Sequence, residues 1–130
     1  KTNQAETIFK LAAGGDKTKV NLTVGDILGH GIGLLPADAT AANFGKLKSE
    51  KIEDLAAGLV NLIAETIGMV SCLAAKNTPE FSLIFVGRLA TNSLIQAEVK
   101  SVCDLFKLKA IFPKDAVYAT ALGAALSYQP

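Results

Sequence analysis

The residues best suited to chemistry in this 130-residue chain stand in one stretch, FSLIFVGRLATNSLI, residues 81–95. An apolar run ends in Val86-Gly87-Arg88, a short polar loop follows, and Asn92 opens a second apolar run. A glycine at the carboxyl end of a strand has no Cβ to hold a ligand off the backbone, and α/β proteins place nucleotides beside such turns. Arg88 is a planar fixed cation that can reach a phosphate or, lying across the pocket, block it. The same spacing also makes an ordinary strand-to-helix turn. The elements around it must decide.

Other candidates carry less. Asp26 and Asp38 lie in a glycine-rich segment and could bind a metal or a substrate hydroxyl, but carboxylates in turns more commonly close or cap them. His30, the single histidine, stands between Gly29 and Gly31 with no serine or cysteine nucleophile to place beside it, and reads as an exposed loop residue. Glu50, Glu53 and Asp54 read as a solvated helix start. Cys72 and Cys103 lack metal-ligand spacing and each sits in an apolar helical pattern, as reduced core thiols of a cytoplasmic protein do. No metal site and no catalytic residue is expected from these spacings.

Half of the residues are hydrophobic, 19% are charged and the net charge is +1. That is globular composition without a basic patch, so nucleic acid is not an expected partner. Residues 1–10 are polar and lack a signal-peptide core. Residues 55–75 are long and apolar enough for a membrane span, but Asn61, Glu65 and Thr66 interrupt them, which favours a helix buried in protein and no membrane partner.

The elements that must position these residues follow from periodicity. Residues 5–13 read as a short helix stopped by Gly14-Gly15. Val20, Leu22 and Val24 alternate as a short strand, and 25–42, with four glycines and Pro36, reads as a loop. Ser49 caps a long helix over 49–76 whose second half is apolar on most sides, ended by Asn77 and Pro79. Gly58 and Gly68 within it each cost about 1 kcal/mol relative to alanine, which close packing would explain. Residues 81–86 read as a strand covered on both faces. A helix starts at Asn92 or Ser93, a strand covers 110–112, and an alanine-rich helix covers 118–126. Helix, strand, helix, strand, helix is α/β order, with too few strands for a full sheet.

Three blocks then stand in order: AAGGDKTKVNLTVGDILG; LLPADATAANFGKL; and IFVGRLATNSLI with YATALGAAL. They resemble "LAxxGDxxxVDLxVGDIYG", "GLPxxxxAxxFG", and the adenosine-side motif with the closing "GAxSGAIGAL" helix of the type II (eukaryote-like, fumble-type) pantothenate kinases. That family is a branch of the actin, Hsp70 and sugar-kinase ATPase superfamily. The resemblance runs over essentially the whole chain.

It implies an α/β fold, a partial ribonuclease-H-like (actin-like ATPase) domain. Residues 1–130 would be the C-terminal portion of the second lobe, a short sheet with one long and several shorter helices. It implies transfer of the γ-phosphoryl group of ATP to pantothenate, giving 4'-phosphopantothenate for coenzyme A synthesis. ATP and Mg2+ would serve the complete enzyme, a cytoplasmic homodimer. Gly87, Arg88, Phe44 and Gly45 fall on the ATP side. Arg88 departs from the small polar residue of many relatives, and Phe44-Gly45 reads equally as a hydrophobic anchor at a loop's end. Segment 25–42 resembles the region near the pantothenate pocket and the dimer contact, with no substrate-binding residue assigned. The family's phosphate loops and glutamate base have no match here and are expected upstream of Lys1, so the chain reads as a fragment inactive alone. Two other readings stay open: a non-catalytic binding or regulatory relative, and an amino-sugar or other small-metabolite kinase of the superfamily.

Overall fold

Helix α1 covers Gln4–Ala13 and stops at Gly14-Gly15, whose amides donate to the carbonyls of Leu11 (3.0 Å) and Ala12 (3.1 Å). A computed structural model describes residues 4–76 and 81–128, and the chain falls into two units, 1–63 and 64–130.

In the first unit a single 3-10 turn, Lys17–Lys19, follows α1. Asp16 caps it: its Oδ1 accepts from Thr18 N (2.9 Å) and Thr18 Oγ1 (2.6 Å). Strand β1, Leu22–Thr23, pairs antiparallel with β2, Thr40–Ala42. Between them lies α2, Val24–Leu28. Helix α3, Ile52–Ala75, begins in this unit and continues into the second. Its Gly58 is required by packing: a Cβ there would lie 2.5 Å from Val20 Cγ2 and 3.2 Å from Phe44 Cε1. Gly15 is tighter still, with Glu53 O only 2.0 Å from the position of a Cβ.

In the second unit β3, Ser82–Ile84, lies parallel to β4, Lys109–Ile111, with Leu83 opposite Ala110. Helix α4, Ser93–Leu105, connects them and buries Ile95, Val99, Val102 and Cys103. It meets α3 closely, since a Cβ on Gly68 would sit 2.9 Å from Val102 Cβ. Cys72 and Cys103 are free, fully buried, and 3.7 Å apart at sulfur. Burial, and then the Cys72 thiol, push Cys103 up to about 12, so it stays protonated at neutral pH. Helix α5, Ala119–Ser127, closes the chain and buries no residue.

The α/β order and four of the five helices agree with the sequence reading, and four expectations need correction. Val24 starts α2 instead of ending a strand, because Thr23 and Asp26 form a capping box: Asp26 N donates to Thr23 Oγ1 (3.1 Å) and Thr23 N to Asp26 Oδ2 (2.9 Å). The expected loop 25–42 therefore contains most of that helix and all of β2. The second half of α3 is not covered on most sides; Val70 is 62% and Leu73 54% exposed, because α4 covers only the face of Gly68 and Cys72. Nor is the strand over 81–86 covered on both faces: Leu83 and Phe85 are half-buried while Ile84 and Val86 are exposed. Side chains alternate between the two faces of a strand, and this alternation leaves one packed face. The expected stop at Asn77 and Pro79 lies outside the described residues. Among those described, α3 alone is long and apolar enough to cross a membrane.

Candidate functional site

The glycine that ends the apolar strand is forced by backbone shape. Gly87 has φ +98°, a conformation costly to residues with a Cβ, and its N–H donates to Ala116 O (2.7 Å). Nothing lies within 4 Å of where a Cβ would stand, so the residue opens on free space. A 3-10 turn, Leu89–Thr91, follows, and Asn92 caps α4 by accepting from Leu94 N (3.0 Å) and Ile95 N (3.3 Å) at Oδ1.

Beside this turn is a cavity of about 310 Å³. Phe85 and Phe112 stack at its wall, ring centroids 5.3 Å apart, and Val86, Ala90, Ile95 and Val99 add aliphatic surface. Arg88 is the single charged residue that lines it. No carboxylate among the described residues pairs with that guanidinium. An apolar cavity with one cation at its edge suits a flat or apolar body carrying a negative group.

Phe44 and Gly45 belong to the first unit, Gly87 and Arg88 to the second. Phe44 takes φ +56°, and its N–H donates to Oδ1 of the buried Asn21 (2.9 Å), which holds it in that shape. Its ring packs over Gly58 and lines an apolar pocket with Ile8, Leu11, Ile52 and Leu55, as an anchor would. Gly45 N donates to Ala42 O (3.2 Å), and a Cβ on Gly45 would crowd Leu22 and Ala42 at about 3 Å.

The carboxylates of this unit are engaged in holding it together. Asp26 Oδ2 accepts from Lys46 Nζ (2.5 Å) and from both donors of Thr23. Lys46 first, and then Thr23, hold its carboxyl well below the usual range. Asp54 corrects the reading of 50–54 as a solvated cluster. It is buried, accepts from Asp16 N (2.8 Å) and Ser49 Oγ (2.6 Å), and is lowered by those bonds, Ser49's foremost. Asp16 is lowered by Thr18. Asp38 and His30 are exposed. Among the described residues no group of three His, Cys, Asp or Glu side chains is placed to hold a metal ion.

The sequence reading missed Asn61. It is buried on α3, accepts from Lys17 Nζ (2.8 Å), and donates to Thr40 Oγ1 (3.2 Å) and Asn43 Oδ1 (3.3 Å). Its spacing of two helical turns from Asp54 put both polar residues on one inward face, a signal that was available.

These bonds make a pH prediction. Asp16, Asp26 and Asp54 all have folded values below their unfolded value of about 3.9. Their contribution is present above that value and is lost as pH falls through the folded values. The first unit should therefore lose stability below about pH 4, with Asp26→Asn reducing the loss. A circular-dichroism melting temperature constant from pH 5 down to 2.5 would contradict this.

A family model described as Fumble matches residues 1–127. The chain is 34% identical over 124 residues to a type II pantothenate kinase of Oceanobacillus iheyensis, covering 92% of this chain and 47% of that protein. It is 44% identical over 79 residues to pantothenate kinase 1 of Oryza sativa subsp. japonica, 54% of this chain and 12% of that protein. A pantothenate kinase of Schizosaccharomyces pombe is 30% identical over 101 residues, 69% of this chain and 25% of that protein. The chain thus spans about half the length of the bacterial relatives it matches.

Proposed function

The chain belongs to the Fumble family, and from that premise we propose that it is the nucleotide-side part of an ATP-dependent pantothenate kinase. In this reading residues 1–130 are the C-terminal portion of the second lobe of an actin-like ATPase fold, and the complete enzyme phosphorylates pantothenate in coenzyme A synthesis. One observation carries it: Gly87, in a left-handed conformation, opens on free space next to Arg88 and an apolar cavity. The base enters the apolar side, Arg88 meets phosphate, and Gly87 lets the nucleotide approach the backbone. The family resemblance also assigns Phe44 and Gly45 to the ATP side. Mg2+ would accompany ATP in phosphoryl transfer, and Asp16, Asp26 and Asp54 are each bonded within the first unit.

The complete enzyme, given ATP and a panel of pantothenate and amino sugars, should phosphorylate pantothenate. Transfer to an amino sugar alone would replace the reading with the sugar-kinase alternative. The 130-residue polypeptide should turn over nothing, because its sequence has neither the family's phosphate loops nor its glutamate base, and losing such groups costs orders of magnitude in rate. Normal ADP release by the purified chain with pantothenate and ATP would refute that.

A homodimer in the cytoplasm completes the proposal. Support for the dimer comes from the exposed apolar side chains of α3, Leu59, Ile63, Met69, Val70 and Leu73. Light scattering of the chain at high micromolar concentration should give twice the mass of 13.5 kDa; a monomer there counts against it.

A further inference from the structure

We infer that Cys72 and Cys103 are a site of reversible oxidation, at which a small disulfide of the glutathione class makes an internal disulfide that ties α3 to α4. The inference stands apart from the nucleotide reading. These are the two cysteines of the chain, so one internal pairing is possible. Both belong to the second unit.

The sulfurs are already neighbours. The Cys72 thiol donates to the Cys103 sulfur at 3.7 Å, and a disulfide needs about 2.05 Å. The helices run close at this point. Gly68 stands one helical turn before Cys72, and a Cβ there would lie 2.9 Å from Val102 Cβ. Two small residues on α3 thus bring the backbones of the two helices together where the thiols meet.

The step is thiol–disulfide exchange, and it balances. The thiolate of one cysteine attacks a sulfur of the small disulfide, whose S–S bond breaks and releases one small thiol. The thiolate of the other cysteine then attacks the protein sulfur of this mixed disulfide. The bond between Cys72 and Cys103 forms and the second small thiol leaves. Two electrons pass from the protein to the small disulfide, and the two protons end on the released thiols.

Burial gates the reaction. Neither cysteine has exposed surface, and the attacking species is the thiolate. Exchange therefore waits for α3 and α4 to part locally. The folded chain offers no sulfur for a bridge to a second chain. The cysteines are 31 positions apart, and β3, Gly87 and Arg88 stand between them. The crosslink closes that loop and constrains the unfolded chain. Oxidation thereby sets how firmly the segment with Gly87 and Arg88 is held.

The test incubates the full chain with excess oxidised glutathione a few degrees below its melting midpoint, then reads mass and melting temperature. The chain should become lighter by two hydrogens and take up no iodoacetamide when denatured. It should melt at least about 5 °C higher, and dithiothreitol should restore the starting mass and midpoint. Two thiols still free after this treatment overturn the inference, as does a lasting glutathione adduct or a disulfide-linked pair of chains as the main product. An internal disulfide that lowers the melting temperature also overturns it, since the sulfurs would then not be placed to bond without strain.

Discussion

Gly15→Ala is expected to cost about 3 kcal/mol or more, at the upper end of overpacking penalties. The added methyl would stand 2.0 Å from the carbonyl oxygen of Glu53 and 2.9 Å from the amide nitrogen of Asp54. Both are backbone atoms at the start of α3, so no side chain can rotate away. The turn would have to leave α3, and the bond from Asp16 N to Asp54 Oδ1 would go with it. A small domain holds about 5–15 kcal/mol in total, so the loss is a large share. Gly14→Ala is the control: its nearest neighbour, Leu11 O, would be 3.7 Å away, an ordinary contact. That variant should stay within about 1 kcal/mol of the parent. Urea unfolding of both separates them, and equal midpoints would show that the turn does not rest against α3.

Much of the fold was legible because helices announce themselves over many residues. The face formed by Ile95, Val99, Val102 and Cys103 predicted α4, and Asn92 predicted its cap. Gly58 and Gly68 were read as contact points, and each faces a side chain that a Cβ would strike. The short elements were harder. Five residues, Val24–Leu28, are too few for a periodic stripe, and Gly25 argued for a loop. The Thr23–Asp26 spacing was the available signal, a capping box without a long helix behind it. The continuous apolar run at 81–86 and the wide apolar stripe in the second half of the long helix suggested burial on both faces and on most sides, but apolar composition does not say how many neighbours an element has.

At the candidate site, the sequence made Gly87 conspicuous without giving its conformation. The left-handed φ and the empty space beside it are tertiary facts. Asp26 and Asp54 show the reverse. Asp26 was a candidate ligand and Asp54 part of a solvated helix start, yet both are bound to donors far away in sequence, Lys46 and the amide of Asp16. Phe44 has a packing role over Gly58 that accounts for the aromatic ring by itself. The nucleotide role of Phe44-Gly45 rests on resemblance.

Gly87 carries the central claim and gives the second large effect. Its φ of +98° penalises any side chain by about 1–2 kcal/mol, while the open space around it imposes no clash. Gly87→Ala and Gly87→Val should therefore both lower the melting temperature by several degrees, the β-branched variant somewhat more. Ligand binding should separate them. If a nucleotide occupies that space, the two extra methyl groups of valine stand where it must pass the backbone. ATP affinity should then fall by about tenfold or more, roughly 1.4 kcal/mol, beyond the loss seen with alanine. The decisive measurement is the ATP dissociation constant of the folded parent, Gly87→Ala and Gly87→Val at a temperature well below all three midpoints. The account predicts a stepwise loss from glycine to alanine to valine. Lower melting temperatures with an unchanged ATP constant would make Gly87 a turn residue only, and would contradict a nucleotide site at this strand end.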